Sequence, residues 1–391
     1  MQINKVLYEL YSYESKGWNF GLDNIKVLLK KIDNPEKNLR CIHVAGTNGK
    51  GSVCAFISSI LKESGFKVGL YTSPHLIRFN ERIQINGKEI SDEDIAELYQ
   101  EIRPYITNQT FFEITTAMAF LYFSREKTDF VVLETGLGGR LDATNVVIPL
   151  VSVITNVSLE HTDYLGDSIV QIAAEKAGII KKEIPVVTSC KETSFEVIKK
   201  ISLDKNAPLY RTLRLAGYKI SLKGKFQREN AGIALKTVEI LREKYKLNIS
   251  NANIKNGFVN AKCPGRFEFF GNVVVDCAHN PDGIEKLIDE IKSIIYEKLV
   301  FLVGILRDKD TKRMMEMINE FADIIVLTKP NSKRAENPDV LKKFTDKKVF
   351  IEENIGKALS LARRVSSKDD KIIVCGSIYL AGEVLRILRS Q

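Results

Sequence analysis

Short, continuous apolar runs recur along the chain, and segments with a helical spacing of apolar residues lie between them. In the first half the runs lie at residues 39–42, 67–71, 130–134 and 150–154. In the last third they lie at residues 273–275, 299–303, 324–327, 349–351 and 372–374. Runs of this kind are typical of buried strands in parallel sheets, and the helical segments between them indicate βαβ units. The pattern therefore predicts an α/β fold with two open sheets.

A glycine-rich stretch, HVAGTNGKGS at residues 43–52, joins the first run to a segment with helical apolar spacing. Glycines let a backbone approach an anion, and a helix N-terminus offers free N–H groups. We therefore expect a phosphate cradle in which Lys50 supplies positive charge and the Ser52 hydroxyl can bind the magnesium that accompanies ATP. The candidate nucleotide-binding residues are Thr47, Asn48, Gly49, Lys50, Gly51 and Ser52.

This stretch departs from the usual phosphate loop, and an ordinary tight turn remains the alternative. Only Thr47 and Asn48 separate Gly46 from Gly49, whereas the usual loop has more residues between its glycines. Gly51 separates Lys50 from the serine that normally follows directly. The strand before it and the helix after it favour the phosphate loop.

The length of 391 residues predicts two domains. The segment 260–266 contains Pro264-Gly265 and is the best linker candidate. We place an ATP-binding domain at residues 1–266, with a parallel sheet of the P-loop ATPase type and flanking helices. A smaller Rossmann-like α/β domain then occupies residues 267–391.

Composition narrows the class of protein. The chain has 58 Lys and Arg against 49 Asp and Glu, and the excess is spread out, so it suits anionic small substrates better than nucleic acid. The six cysteines form no Cys-x-x-Cys pattern, which predicts buried free thiols without a disulfide framework or zinc site. There is no apolar run long enough to span a membrane and no signal-peptide pattern, so we expect a cytoplasmic protein.

Polar residues follow the predicted strands, where open parallel sheets bind ligands. Ser73 comes after the second run, and Glu134 ends the third, from where a carboxylate can reach a metal at the phosphate loop. All four histidines of the chain lie in loop motifs, namely His43, His75, His161 and His279. Although a single histidine is more often a packing residue, this placement favours a functional role for at least two of them.

These motifs resemble one family. The phosphate loop, RFNER at 78–82, ETGLGGRLDATN at 134–145, HTD at 161–163 and EKAGI at 175–179 look like folylpolyglutamate synthase/dihydrofolate synthase. This family is the folate branch of the Mur ligase superfamily. The later motifs PGR at 264–266, DCAHNP at 276–281 and DKD at 308–310 agree, although Cys277 stands where the family often has glycine.

The resemblance implies an ATP-dependent amide ligase of folate biosynthesis and one-carbon metabolism. A carboxylate of a folate or dihydropteroate would attack the γ-phosphate to form an acyl phosphate, and the amine of L-glutamate would then displace the phosphate. The family also suggests a monomer with no nucleic-acid or membrane partner. Which of the two folate activities is present stays open.

The resemblance also implies two Mg²⁺ sites and a modified lysine. One metal would be bound by Ser73, Glu134 and His161, and Ser52 would lie near the metal on the nucleotide. Lys176 matches the site that the family carbamylates with CO₂, and the resulting carboxylate would help to orient metal. Without the resemblance, a solvated lysine on a helix surface would be the better interpretation. Lys50, His161 and Lys176 are thus the candidate catalytic residues.

The remaining site residues also come from the resemblance. The nucleotide would contact Asn230, Arg266, Asp276 and His279, although Asn230 could instead cap a helix and Asp276 could be a turn residue. The folate would contact Phe20, Leu22, Phe112, Arg140 and Asp142, since an aromatic ring suits a flat heterocycle.

Three other functions remain to be weighed. A cell-wall ligase of the same superfamily is disfavoured because only residues 1–38 precede the phosphate-loop strand. A P-loop regulatory ATPase would bind partners in a nucleotide-dependent way and would show no dependence on an amino acid. A nucleic-acid-binding protein would show salt-sensitive affinity for oligonucleotides.

Overall fold

Two sheets with helices around them make up the computed structural model, which describes residues 2–17 and 21–391. By their contacts these residues form two compact units, residues 2–221 with 227–262, and residues 222–226 with 263–391. The α/β class and the presence of an N-terminal and a C-terminal sheet domain are confirmed.

The first unit is built on a mostly parallel sheet. Its strands are β1 (Cys41–Ala45), β2 (Val68–Tyr71), β3 (Ile83–Ile85), β4 (Lys88–Glu89), β5 (Phe130–Glu134), β6 (Val151–Ile154), β7 (Val186–Thr188) and β8 (Leu209–Arg211). Within the described ranges they lie in the order β4-β3-β2-β5-β1-β6-β7-β8. β3 pairs antiparallel with both β2 and β4, and the other neighbours pair parallel. β1 is therefore central, and its five residues are all buried.

Helices cover this sheet. They are α1 (Ile3–Ser12), α2 (Asp23–Lys31), α3 (Lys50–Glu63), α4 (Asp92–Ile102), α5 (Phe111–Arg125), α6 (Thr162–Leu165), α7 (Ile169–Ala177), α8 (Glu192–Asp204), α9 (Gln227–Lys244) and α10 (Asn251–Asn260). One alternative interpretation from the sequence is wrong. Asn230 lies inside the first turns of α9 and does not cap it, because the helix already begins at Gln227.

The second unit repeats the alternation of strands and helices. It contains β9 (Glu268–Phe270), β10 (Val273–Val275), α11 (Pro281–Ile291), β11 (Leu299–Val303), α12 (Thr311–Phe321), β12 (Ile324–Leu327), α13 (Pro338–Lys342), β13 (Lys348–Ile351), α14 (Ile355–Val365), β14 (Lys371–Cys375) and α15 (Ile378–Arg389). The sheet order is β13-β12-β11-β14-β10-β9, and β9 is an antiparallel edge that the apolar runs did not indicate.

Two expectations from composition can be compared with the fold. All six cysteines are thiols outside any disulfide, as predicted. Five of them are buried as expected, whereas Cys263 is partly exposed. In the part of the chain that the structure describes, the helices are too short or too polar to cross a bilayer.

Close helix contact in the first unit generates a stability prediction. A Cβ on Gly257 of α10 would lie 2.5 Å from Ile60 Cα and 2.7 Å from Ile60 N in α3. Gly257→Ala must push the two helices apart, and we expect the unfolding free energy to fall by about 1–3 kcal/mol. Chemical denaturation monitored by circular dichroism measures this change.

The matched control is Gly356→Ala, also in a helix. The nearest atom to a Cβ on Gly356 would be Asn354 Oδ1 at 3.4 Å, which is ordinary contact. Alanine has the better helix propensity, so this change should stabilise the second unit by about 0.5–1 kcal/mol. Equal effects of the two substitutions would contradict the packing argument.

Candidate active site

The loops that carry the predicted motifs leave one edge of the first sheet. β2, β5, β1 and β6 are parallel neighbours in that order, so their carboxyl ends lie side by side. The glycine-rich loop follows β1, Ser73 follows β2, Glu134 ends β5, and residues 155–161 follow β6. Segments far apart in sequence therefore meet where a parallel sheet binds its ligands.

The glycine-rich loop is formed by backbone conformations that only glycine adopts easily. Gly46 has φ +147° and Gly49 has φ +85°. A Cβ on Gly46 would overlap Thr155 Oγ1, and one on Gly49 would overlap Asn230 Oδ1. α3 begins at Lys50 directly after the loop, so its first N–H groups face the cradle. The structure thus has the local geometry of a phosphate site.

The loop after β6 holds the phosphate loop in shape. The backbone N–H of Asn48 donates to Asn156 Oδ1 at 2.8 Å, and that of Thr47 donates to Asn156 O at 2.9 Å. Thr155 Oγ1 donates to Asn48 O at 2.6 Å. These bonds restrain the backbone of the cradle, which lowers the entropy that phosphate binding must overcome.

Lys50 and Ser52 are placed to meet a charged ligand. Lys50 Nζ donates to Gly46 O at 2.9 Å and to Thr47 O at 3.1 Å, so the ammonium lies over the loop. Ser52 is 1% exposed, and its Oγ has no hydrogen-bond partner in the structure. A buried hydroxyl without a partner is unusual and fits the role of a ligand to a metal on the nucleotide. Gly51 lies between them and is half-buried.

The other predicted metal ligands occupy neighbouring loops. The backbone N–H of Ser73 donates to Glu134 Oε2 at 3.2 Å, which joins the ends of β2 and β5. His161 has a left-handed backbone, with φ 47°, at the start of α6. Among residues 2–17 and 21–391, no three His, Cys, Asp or Glu side chains form a metal site by themselves. Oxygen and imidazole donors of this kind are compatible with Mg²⁺, with phosphate oxygens or water completing its coordination.

Lys176 is a buried lysine and not a surface one. It is 1% exposed, and its Nζ donates to Glu160 Oε1 at 2.8 Å. Burial lowers the pKa of Lys176, the negative charge of Glu160 opposes that change, and Lys50 adds to it. Burial alone would raise the pKa of Glu160, but the charges of Lys176, Lys50 and His161 bring it down to about 2.

Glu160 pairs with a predicted site residue, although the sequence analysis did not select it. Its only signal was its place next to His161, in a loop after a strand. The pKa of Glu160 is lowered by three nearby side chains, those of Lys176, Lys50 and His161. The charge of Lys50 also lowers the pKa of Lys176. The group is thus a compact charged cluster beside the phosphate loop.

A small cleft lies between the start of α5 and the loop that follows β5. It is lined by Gly21, Thr110, Phe112, Glu113, Leu137, Leu141, Asp142, Ala143, Leu165 and Glu175. Its lining combines apolar side chains with three carboxylates and includes the Phe112 ring, a surface on which a flat heterocycle could stack. Two of the predicted folate contacts, Phe112 and Asp142, line this cleft.

The other predicted folate contacts differ in position. Arg140 is exposed and forms a bidentate pair with Glu175, with Nη2 donating to Oε1 at 2.8 Å. Leu22 is the residue before α2. Phe20 lies outside the described residues. His43, grouped with the loop motifs by sequence, lies inside β1 and is fully buried.

The predicted nucleotide contacts fall into two sets. In the first unit, Asn230 Nδ2 donates to Gln227 Oε1 at 2.9 Å, and its Oδ1 faces Gly49. In the second unit, the Asp276 carboxylate accepts from the backbone N–H of Phe267 and of Ala278, both at 2.8 Å. Burial raises the pKa of Asp276, and the charge of Arg266 opposes this.

His279 has a defined tautomer. Its Nδ1 lies 2.8 Å from Cys277 O, and because a carbonyl only accepts, Nδ1 carries the proton and donates.

Comparisons with known proteins agree over nearly the whole chain. The model of the Mur ligase middle domain matches residues 44–267, and that of the Mur ligase, glutamate ligase domain matches residues 265–378. The dihydrofolate synthase/folylpolyglutamate synthase of Bacillus subtilis is 34% identical over 94% of this chain and 95% of its own length.

Solved structures are similar throughout. Escherichia coli FolC in complex with DHPP and ADP has a TM-score of 0.91 at 28% identity and covers 98% of both chains. The bifunctional folylpolyglutamate synthase/dihydrofolate synthase of Yersinia pestis, complexed with AMPPNP and Mn ion, has a TM-score of 0.91 at 29% identity. It covers 100% of this chain and 98% of its own.

The contact between Gly49 and Asn230 generates a binding prediction. Gly49→Ala adds a Cβ that overlaps Asn230 Oδ1 at a residue with φ +85°, so the loop must deform. With strain of about 1–3 kcal/mol, the affinity for a non-hydrolysable ATP analogue should fall about tenfold or more. Isothermal titration calorimetry measures it.

Gly65→Ala is the matched control. Gly65 has a similar φ of +89°, but no atom lies within 4 Å of its Cβ position. It should lower stability without changing nucleotide affinity. If Gly49→Ala binds the analogue as tightly as Gly65→Ala does, the loop is not the phosphate site.

Proposed function

The chain belongs to the folylpolyglutamate synthase/dihydrofolate synthase branch of the Mur ligases, ATP-dependent enzymes that add glutamate to folates, and from this premise we propose how its residues carry out the reaction. The observation that carries the proposal is the preformed phosphate loop beside the buried Lys176–Glu160 pair, at the sheet edge where β1, β2, β5 and β6 end.

In the first step a carboxylate oxygen of the folate acceptor attacks the γ-phosphorus of ATP, and the bond to the β,γ-bridging oxygen breaks. This gives an acyl phosphate and ADP. In the second step the neutral amine of L-glutamate attacks the acyl carbon, phosphate leaves, and the amine loses a proton as the amide forms. Both steps bring anionic groups together, so most of the catalytic effect must come from charge stabilisation and alignment.

Lys50 and the loop N–H groups bind the phosphates in this proposal. The Lys50 ammonium exchanges the carbonyls of Gly46 and Thr47 for phosphate oxygens, which are stronger partners because they are charged. Thr47, Asn48, Gly49 and Gly51 supply backbone around the anion.

Magnesium would be held at two places. Ser52 would bind the ion on the nucleotide, and Ser73, Glu134 and His161 would bind a second one. The orphaned Ser52 hydroxyl and the link between Ser73 and Glu134 support this assignment. When bound, the ions supply positive charge that offsets the phosphate oxygens.

The remaining predicted contacts are assigned either to the nucleotide or to the folate. We assign Asn230, Arg266, Asp276 and His279 to the nucleotide. Phe112 and Asp142 belong to the folate cleft, with Leu22, Phe20 and Arg140 also proposed as contacts. Arg140 must then leave Glu175, or bind the folate as an ion pair with it. The resemblance to the family supports a monomer, which we propose here, and we keep the domain boundary after Arg266 as proposed.

Product mass tests the activity. The protein is incubated with ATP, Mg²⁺ and L-glutamate, with dihydropteroate in one sample and tetrahydrofolate in another. We expect the mass of one added glutamate on at least one acceptor. Product on dihydropteroate alone defines a dihydrofolate synthase, product on tetrahydrofolate alone a folylpolyglutamate synthase, and product on both a bifunctional enzyme.

A matched variant and a negative outcome complete this test. Lys50→Met should give no product with either acceptor while remaining folded. If the unchanged protein binds ATP but extends neither acceptor, the ligase proposal is wrong and a regulatory ATPase becomes the better interpretation.

We further propose that Lys176 is carbamylated. Burial and the nearby Lys50 favour the neutral amine that CO₂ requires, and the amine nitrogen would attack CO₂ and release one proton. A carbamate beside Glu160 would place two anions together, which is favourable only with cations nearby, here Lys50 and a bound metal.

Carbon NMR after equilibration with isotope-labelled bicarbonate should show a carbamate signal that is absent from Lys176→Ala. Lys176→Ala should also lose activity and regain part of it with acetate, a small carboxylate. Lys181→Ala is the control, because Lys181 is also partly buried with a lowered pKa and donates to Asn145 O at 3.0 Å. A full-activity Lys176→Ala enzyme, or a carbamate signal that persists in it, would contradict the proposal.

A further inference from the structure

A buried hydrogen-bond chain connects the central strand to the folate cleft. His43 in β1 is fully buried, and its Nε2 lies 2.7 Å from Thr144 Oγ1. Thr144 Oγ1 in turn donates to Asp142 Oδ1 at 2.5 Å. Asp142 is one of the residues that line the cleft. His43, which belongs to the phosphate-loop motif, is thus linked by hydrogen bonds to a residue of the candidate folate cleft.

The direction of each bond follows from the chemistry of the groups. The Thr144 hydroxyl has one hydrogen and gives it to the carboxylate, so it can only accept from His43. His43 must therefore carry its proton on Nε2. Its Nδ1 is buried and has no hydrogen-bond partner in the structure. Burial lowers the pKa of His43 to about 3, which agrees with a neutral ring.

The second oxygen of Asp142 continues the chain toward the cleft. Oδ2 accepts from the backbone N–H of Gly136 and from that of Leu137, both at 2.8 Å. Oδ1 accepts from Thr144 N at 3.0 Å as well as from its hydroxyl. A carboxylate has about four acceptor positions, so donors of this chain fill all of them. These bonds fix the orientation of the Asp142 carboxylate. The carboxylate in turn fixes the backbone of Gly136 and Leu137, at the start of the loop after β5.

Gly136 links the Asp142 carboxylate to the aromatic ring of Phe112 in the cleft lining. A Cβ on Gly136 would lie 2.6 Å from Phe112 Cζ, so the Phe112 ring rests directly against this backbone. Phe112 lines the cleft, and Leu137 lines it too. A shift of the Gly136 backbone would therefore move both the ring and the loop against which a heterocycle lies.

From this geometry, and on the basis of the proposed function, we propose that His43 is a positioning residue for folate. Its Nε2–H aligns the Thr144 hydroxyl, which orients Asp142, the Gly136–Leu137 backbone and the Phe112 ring. The sequence groups His43 with the ATP-binding loop, whereas the hydrogen bonds assign it to the folate cleft.

A purely structural role for His43 does not explain its unpaired Nδ1. The other four residues of β1 are small or apolar, and an apolar residue would suit the same buried position without leaving Nδ1 unpaired. An unpaired buried acceptor destabilises the fold. The unpaired Nδ1 is explained if the Nε2–H donor on the other side of the His43 ring is needed to order the cleft.

The experiment compares the apparent affinities for the two substrates. His43→Leu and Thr144→Val each remove one link, and steady-state kinetics give KM for the folate acceptor and for ATP. We expect the folate KM to rise about tenfold or more, while the ATP KM stays within about twofold. The double variant should be no worse than the poorer single one, because the two residues act through one chain.

Two further variants separate positioning from general destabilisation. Thr144→Ser keeps the hydroxyl and should retain nearly the original folate KM, and His43→Gln, with an amide donor, should recover part of it. Thr237→Val is the control: it removes a buried hydroxyl that donates to Ile233 O at 2.8 Å within α9. It should lower the melting temperature without raising the folate KM.

Each outcome has one meaning. A folate KM unchanged in both His43→Leu and Thr144→Val, or a parallel rise in the ATP KM, would overturn the inference. If His43→Leu does not fold, Thr144→Val, Thr144→Ser and His43→Gln decide the question. If the unchanged protein extends no folate at all, the proposed function fails instead, and that failure is visible before any variant is compared.

Discussion

Where the strands of the first sheet end, the ammonium of unmodified Lys176 is buried and needs a balancing charge, and the surrounding loops depend on the ion pair that results. Lys176 brings the charge from α7, and Glu160 meets it from the loop after β6 with an N–O distance of 2.8 Å. Removing one partner of a buried pair typically costs about 3–5 kcal/mol, because the remaining charge has no water around it. The loop after β6 is therefore held firmly, and through Asn156 it holds the phosphate loop.

Polar side chains in the other loops act in a similar way. Asp142 binds backbone N–H groups on both sides of its own loop, and Asn156 binds those of the phosphate loop. Such side chains replace the regular hydrogen bonds that loops lack. These contacts restrain the loops of both candidate substrate sites, which reduces the entropy that binding must overcome. Glycines at the closest approaches make this possible, since any side chain at Gly46 or Gly49 would collide.

Much of the fold could be predicted from the sequence because parallel strands buried on both faces need continuous apolar runs. All five runs of the last third became strands, and the glycine-rich stretch became a strand–loop–helix unit. Short or edge strands such as β4, β8 and β9 were missed, because partly exposed strands lack such runs. The alternative in which Asn230 caps a helix is wrong, because α9 already begins at Gln227.

By itself, the sequence determined which loops carry chemistry and in which order they follow the strands. Those features are local, because backbone conformation and helix starts depend on neighbouring residues. Only the tertiary structure decided that Glu160 pairs with Lys176, that Phe112 rests on Gly136, and that the His43 ring reaches Thr144. The last of these contacts joins residues 101 positions apart in the sequence. Their partners are selected by the alignment of strands in the sheet and by burial, which no spacing along the chain encodes.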